Sequence, residues 1–296
     1  MAYKPLTGLY NENEKYLFLG NGINQLSKGF SWSDLLNNIR KSARITSEIG
    51  SKTYPLFFEE LSFTLDTKKP VEANIRELKK LIADNAIKLT PNPAHFALLE
   101  NNYYKHYLTT NYDYCIELAA DPDCMPLTHN DRRTSKFSLY RYNEVNGHHI
   151  WHIHGECDNG RKSNPADSIL IGFEHYADYL DKIHRLIKSD TGKGLAEQIL
   201  EARYNWVHKF FTHDIDIVGF GMDFNELHLW FILNLRGRLI RKGAEIRNTI
   251  QWIIPEINAE KQMDKIELLK ALGVKIMILK SASYPSFYEK FIGTLS

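Results

Sequence analysis

The chain has 296 residues, 43% hydrophobic and 25% charged, enough to bury a sizeable core. Lys and Arg number 37 against 36 Asp and Glu, so no global field recruits nucleic acid or an anionic membrane. Three widely spaced cysteines fit a reducing cytoplasm better than a disulfide scaffold, and neither a leader's apolar run nor a membrane-length segment stands out. These bounds predict a cytoplasmic globular protein.

The first strand signal is KYLFLGNG, residues 15–22, an apolar run that ends in two glycines. Residues 24–106 read as helical, with VEANIRELKKLIADNAIKL showing a stripe at Ile75, Leu78, Leu81 and Ile82 and PNPAHFALLENN starting after paired prolines. YKHYLTT is a second strand and runs into a helical DYCIELAA. Residues 121–147 are polar and irregular, with KFSLYRY as a short strand. HIWHIH and SILIGF are the next strands, and residues 193–213 form an amphipathic helix before the strand DIDIVGFG. Then come a helix over FNELHLWFILNLRGRL, the strand TIQWII, a helix around AEKQMDKIELLKALG, the strand VKIMIL and a closing helix, PSFYEKFIG. Short apolar strands alternating with helices predict an α/β fold with a doubly wound, mostly parallel, Rossmann-like sheet. One domain over 1–296 is the simplest partition, with a mainly helical insertion at about 25–105 and an irregular one at about 121–147.

In such folds ligands bind beyond the carboxyl ends of the strands, and three strand ends carry unusual residues. GNGIN (20–24) puts Gly20 and Gly22 where backbone amides can approach a phosphate. GFGM (219–222) repeats the theme with Gly219 and Gly221 and is followed by Asp223 and Glu226. TTNYD (109–113) ends a strand with an amide and a carboxylate, which taken alone reads as a helix cap through Thr110 or Asn111.

Four histidines crowd HHIWHIHGE (148–156). On a continuous strand His148, His152 and His154 project to one face, and His149 faces the other way with Trp151. An HxH pair at His152 and His154 can chelate a metal if Asp113 or Asp223 completes the set, although no HExxH or CxxC pairing accompanies it. His152 reads more simply as a hydrogen-bonded, partly buried side chain. His154 precedes Gly155 at the exit of a central strand, where an imidazole can act as a general base.

GNGIN, TTNYD, HIHGE, SILIGFE and IVGFGM follow one another in the order of the sirtuin motifs: the glycine-rich loop, TQNxD, the HG pair, FGE and GTS. The chain resembles sirtuins from residue 15 to its end, although only about thirty residues carry the likeness. It departs in lacking room for the zinc cysteines, since only residues 156–167 separate His154-Gly155 from SILIGFE, and one cysteine lies there. The set is most similar to the sirtuin-like NAD hydrolases of bacterial anti-phage defence, which lack the zinc ribbon.

That resemblance implies a Rossmann-like catalytic domain that needs no metal. It would cleave NAD to nicotinamide and ADP-ribose and so deplete an infected cell. It assigns Asn111 to the attacking water and a ribose hydroxyl, His154 to the ribose diol and the proton, and Asp113 to the nicotinamide carboxamide. Gly20, Asn21, Gly22, Asn24 and Thr110 would line the pyrophosphate and ribose, with Gly219 and Gly221 near the adenosine half. Glu256, after the strand where sirtuins place an adenosine-binding asparagine, would assist there. A lethal activity implies control, and the expectation is a homo-oligomer that joins a separate sensor or regulatory subunit through the helical stretch 56–106. Two other classes remain open: a non-catalytic sensor of NAD or ADP-ribose, and a metal-dependent hydrolase using His152 and His154.

Overall fold

The computed structural model describes residues 14–27, 32–42, 45–46, 48–125, 127–130, 138–157, 169–187 and 205–295. Eight strands make one sheet in the order β3-β4-β5-β2-β1-β6-β7-β8. They are β1 (Lys15–Leu19), β2 (His106–Thr109), β3 (Thr128–His129), β4 (Asn143–Val145), β5 (His148–His152), β6 (Asp214–Val218), β7 (Ile250–Pro255) and β8 (Lys275–Leu279). The pairs among β5, β2, β1, β6, β7 and β8 are all parallel. Numbered by their own chain order, these six strands run 3-2-1-4-5-6 across the sheet, the doubly wound arrangement with its switch point between β1 and β6. The α/β Rossmann-like expectation is met.

Strand alternation divides the core in two. Leu17 and Leu19 face one side, with Tyr107 and Ile150, under helices α1 (Trp32–Ser42), α2 (Tyr54–Thr64), α3 (Val71–Ala86) and α4 (Pro93–Glu100). Helix α5 (Cys115–Ala120) joins that layer. Tyr16 and Phe18 face the other side, with Trp151, Ile217 and Trp252. There they meet α6 (Phe173–Ile187), α7 (Trp206–Thr212), α8 (Leu227–Arg241) and α9 (Met263–Ala271). The last helix, α10 (Tyr284–Gly293), returns to the first face through Phe287, Tyr288 and Phe291. Central strands buried on both faces must be apolar at successive positions, which is why β1 and β6 stand out in the sequence as runs.

Two expected elements differ, and a third lies partly outside the described residues. SILIGF does not form a strand among the described residues: Ile169 makes one antiparallel bridge to Gly155, and no ladder follows. Its backbone is satisfied group by group instead. Leu170 N–H donates to the His154 carbonyl (2.7 Å), Tyr112 Oη to the Leu170 carbonyl (2.7 Å), and Lys79 Nζ to the Ile169 carbonyl (2.7 Å). The strand expected in KFSLYRY falls at Asn143–Val145, and with Thr128–His129 it adds an antiparallel edge to the sheet. Residues 131–137 of that stretch lie outside the described residues. Of the helix expected over 193–213, Trp206–Thr212 is helical and 193–204 lie outside the described residues. No helix among the described residues is long and apolar enough to cross a membrane.

Between 56 and 106, Phe57, Phe58 and Leu61 are core, while Leu56, Phe63 and Tyr103 are exposed. Most of the apolar residues expected at an interface are thus spent on packing.

The two glycine-bearing strand ends press on each other. Gly20 N–H donates to the Val218 carbonyl (2.9 Å) and Gly22 N–H to the Gly219 carbonyl (2.8 Å). A Cβ on Gly20 would lie 2.6 Å from the Gly219 carbonyl oxygen and 2.6 Å from Phe220 Cα, both backbone atoms. A Cβ on Gly221 would meet nothing within 4 Å. Gly20→Ala should therefore destabilise by about 2 kcal/mol or more through backbone displacement, whereas Gly221→Ala should stay within about 0.5 kcal/mol. Chemical denaturation of the two variants beside the wild type checks this, and equal losses would contradict it.

Candidate active site

A cavity of about 290 Å³ opens at the switch point. Its walls include Asn21 and Gly22 after β1, Thr110 and Tyr112 after β2, His154 after β5, and Gly219 and Gly221 after β6. Tyr54 from α2, Tyr176 from α6, Glu226 ahead of α8, and Gln262 and Lys265 also line it. The structure therefore brings together six of the expected residues: Asn21, Gly22, Thr110, His154, Gly219 and Gly221. Gly20, Asn24, Asn111, Asp113 and Glu256 do not line the cavity.

The positions of those five follow from their contacts. Gly20 packs on the β6 end, and Glu256 is exposed at the start of a one-turn helix, Glu256–Ala259. Asn24 Nδ2 donates to Asp113 Oδ2 (2.8 Å) and to Asn21 Oδ1 (2.9 Å), so the loop after β1 is stitched to the loop after β2. Asp113 Oδ1 accepts the Cys115 N–H at the start of α5 (3.0 Å). Both Asp113 oxygens are thus engaged with protein, which gives the residue a loop-joining role. Asn111 is buried between two cavity residues, and its Oδ1 has no hydrogen-bond partner among the described residues.

The histidine cluster is arranged differently from a continuous strand. Strand β5 ends at His152, the chain turns at Ile153 and His154, and Gly155 closes the turn at φ 85° with its N–H on the His152 carbonyl (2.9 Å). Strand periodicity stops at that turn, so His152 and His154 do not share a face as expected, and the HxH chelate is not formed. His149 does lie with Trp151, its ring edge-on to the indole and tilted against Tyr142 and His106.

His152 is fully enclosed in an ionic network. Its Nδ1 donates to the Asn111 carbonyl (2.7 Å) and its Nε2 to Glu117 Oε1 (2.8 Å). Asn143 Nδ2 bridges Glu117 Oε1 (2.9 Å) and Glu156 Oε2 (2.7 Å), and Arg141 Nη2 pairs with Glu156 Oε1 (2.6 Å). Burial alone would lower the His152 pKa, but the charge and hydrogen bond of Glu117, helped by Glu156 and the Asn111 carbonyl, raise it to about 9. Two buried carboxylates thus face two cations, the condition under which buried charge is tolerated. The network also fixes the Asn111 backbone.

His154 sits on the opposite side of that turn. Its Nε2 lies 3.1 Å from His228 Nε2 and 3.3 Å from Glu226 Oε2. His228 Nδ1 is 3.9 Å from the same Glu226 oxygen. The Tyr176 ring stands edge-on to His154 at 5.6 Å. Burial, and then the His154 charge, hold the His228 pKa well below the usual histidine value, so that ring is neutral. Burial and the Glu226 charge push the phenols of Tyr112 and Tyr176 well above the tyrosine range, so both stay protonated. The donor atoms of His154, Glu226 and His228 lie within 4.8 Å of one another, close enough for one cation to bridge. The sequence reading noted Glu226 without a role and missed His228 and Tyr176. An E-x-H step at a helix start carries no periodic signal, and Tyr176 arrives from a distant helix.

The model of the SIR2-like domain family matches residues 105–277, more than half of the chain and all of β2 to β7. No curated protein matches the chain.

The raised pKa of His152 has a measurable consequence. A histidine whose pKa is higher folded than unfolded contributes stability that is complete below the unfolded value, about 6.5, and lost as pH rises through the folded value, about 9. Urea unfolding between pH 6 and 10 should show wild-type stability falling across that window, with the fall flattened in His152→Gln. Glu117→Gln should cost about 3–5 kcal/mol at pH 7 because the imidazolium loses its partner. A flat wild-type profile would contradict the assignment.

Proposed function

The chain belongs to the SIR2-like domain family, and on that premise we propose that it is a NAD glycohydrolase that releases nicotinamide and ADP-ribose. SIR2-like domains use NAD and are generally NAD-dependent enzymes, so the finer question is which reaction this pocket favours. The observation that carries the reading is the placement of His154 at the cavity wall beside the two glycine-bearing strand ends of the switch point.

The cavity lies at the small end of the range for small-molecule pockets, roughly 300–1,000 Å³, which suits the nicotinamide riboside part of a dinucleotide. Gly22, Gly219 and Gly221 let the backbone come close to a passing pyrophosphate at the cavity wall, the Gly22 N–H being already engaged by the Gly219 carbonyl. The Oδ1 of buried Asn111, just behind the cavity wall at Thr110 and Tyr112, is an acceptor with no protein partner among the described residues, which suits it to hold a water.

Cleavage of the nicotinamide–ribose bond releases a neutral base, so the protein need not protonate the leaving group. Its tasks are to position water, to remove that water's proton and to stabilise the positive charge that gathers on the ribose, as in other glycoside cleavages. His154 supplies the proton acceptor, and the Glu226 carboxylate puts negative charge at the same end of the cavity.

The biological role we attach is NAD depletion in anti-phage abortive infection, on the likeness of the motif set to that group of sirtuin-like hydrolases. We place control in self-assembly and a separate regulatory subunit. Exposed Leu56, Phe63, Ile87, Phe96 and Tyr103 are the large apolar residues of the 56–106 stretch left for contact. The reading as a metal hydrolase through His152 and His154 loses its support, since those rings diverge.

Incubated with NAD, the wild-type protein, assembled with its regulator if one is required, should release nicotinamide and ADP-ribose in equal amounts. His154→Ala should slow release at least about 100-fold, as expected for loss of a general base. Chromatography of the products decides it: full turnover in His154→Ala would contradict the assignment.

A further inference from the structure

Glu226 occupies a place that no sirtuin motif accounts for. It precedes α8 by one residue, with its N–H on the Asp223 carbonyl (3.0 Å), and its side chain caps no backbone group of the helix. The carboxylate instead turns to His154 and His228, in surroundings where the His154 side chain is 4% exposed and that of His228 is 1% exposed. A carboxylate placed against two imidazoles in that setting decides which nitrogens carry hydrogen.

Only one of the two tautomer arrangements is electrostatically consistent. If neutral His228 carried its hydrogen on Nε2 and donated to His154 Nε2, bare nitrogens at His154 Nε2 and His228 Nδ1 would both confront the Glu226 oxygen. Those nitrogens lie at 3.3 Å and 3.9 Å from it. With hydrogens on His154 Nε2 and His228 Nδ1, both rings turn a positive end towards the Glu226 carboxylate, whose Oε2 has no hydrogen-bond partner among the described residues. His154 Nε2–H then donates to His228 Nε2 (3.1 Å) with Glu226 Oε2 3.3 Å away, and His228 Nδ1 stands 3.9 Å from that oxygen, a charge contact and not a hydrogen bond. His154 Nδ1 is left bare, the one ring nitrogen this cluster does not hold.

We propose that Glu226 is a positioning residue for His154: with His228 it holds the ring in the Nε2–H tautomer and so presents Nδ1 as the proton acceptor. The inference rests on the reading of this pocket as the site of NAD cleavage. In the step itself the bond from ribose C1′ to nicotinamide nitrogen breaks, and its electron pair leaves with nicotinamide. A water oxygen bonds to C1′, and the water proton passes to His154 Nδ1. The imidazolium so formed is stabilised by the Glu226 carboxylate and later gives its proton to solvent. Glu226, His228 and Tyr176 stand directly against His154, with Tyr112, Asp223 and Lys265 in the same cavity wall, and Glu226 is the carboxylate in contact with the ring.

The test compares Glu226→Gln, Glu226→Asp and the wild type, and combines steady-state kinetics with NAD and nitrogen-15 NMR of labelled histidine in the substrate-free protein. His154 is assigned by its absence from His154→Ala. Glu226→Gln should lower kcat about 100-fold with KM within about threefold, and Glu226→Asp should restore part of the loss. The wild-type His154 signals should show a protonated Nε2 and a bare Nδ1, and Glu226→Gln should shift them towards the other tautomer or a mixture. Unchanged kcat in Glu226→Gln, or a wild-type His154 protonated on Nδ1, would overturn the proposal. So would a stoichiometric metal ion that copurifies with the wild type and is lost in Glu226→Gln. If the wild type releases no nicotinamide, the glycohydrolase reading fails, and the NMR result still decides the tautomer.

Discussion

The structure turns on the contact between the ends of β1 and β6, where the sheet's winding reverses. Two strands that leave the sheet in opposite senses open a crevice, and here its floor is backbone against backbone. Gly20 and Gly22 hydrogen-bond to Val218 and Gly219, and side chains at Gly20 would strike the opposing chain. Every cavity residue is placed relative to that floor. Thr109 extends it by donating from Oγ1 to the Leu19 carbonyl (2.8 Å) and accepting the Asn111 N–H (3.0 Å), which ties the end of β2 to the end of β1.

A second constraint works from behind the pocket. The network of His152, Glu117, Asn143, Glu156 and Arg141 buries four charged side chains, which is stable only while every member is paired. It joins α5, the antiparallel edge and the turn after β5, and it grips the Asn111 carbonyl. The two histidines of HIH thereby divide the work. His152 is held charged as a structural cation, while His154, two residues on and past the turn, faces the cavity.

Legibility in the sequence followed burial. β1, β6 and β7 are covered on both faces, so their apolar runs announced them, and the glycines after β1 and β6 marked the switch point. SILIGF misled because Ile169, Leu170 and Ile171 are core, yet the carbonyls of Ile169 and Leu170 are taken by Lys79 and Tyr112 instead of a neighbouring strand. The antiparallel edge was obscured because strands of two and three residues hold no periodicity. Within the site, His154 was legible from the HG pair at a strand exit. Asp113, placed by motif order at the nicotinamide, lies in the structure between Asn24 and the start of α5. Glu226 and His228 lie more than 70 residues beyond His154 in the chain, and such juxtaposition is a property of the fold alone.

The most direct measurement is a crystal structure of His154→Ala with intact NAD. The account predicts the nicotinamide riboside in the cavity lined by Thr110, Tyr176 and Glu226, the pyrophosphate against Asn21–Gly22 and Gly219–Gly221, and a water near Asn111 at about 3–3.5 Å from the ribose anomeric carbon. A dinucleotide bound in reverse, with adenine at residue 154 and the nicotinamide ribose outside the cavity, would contradict it.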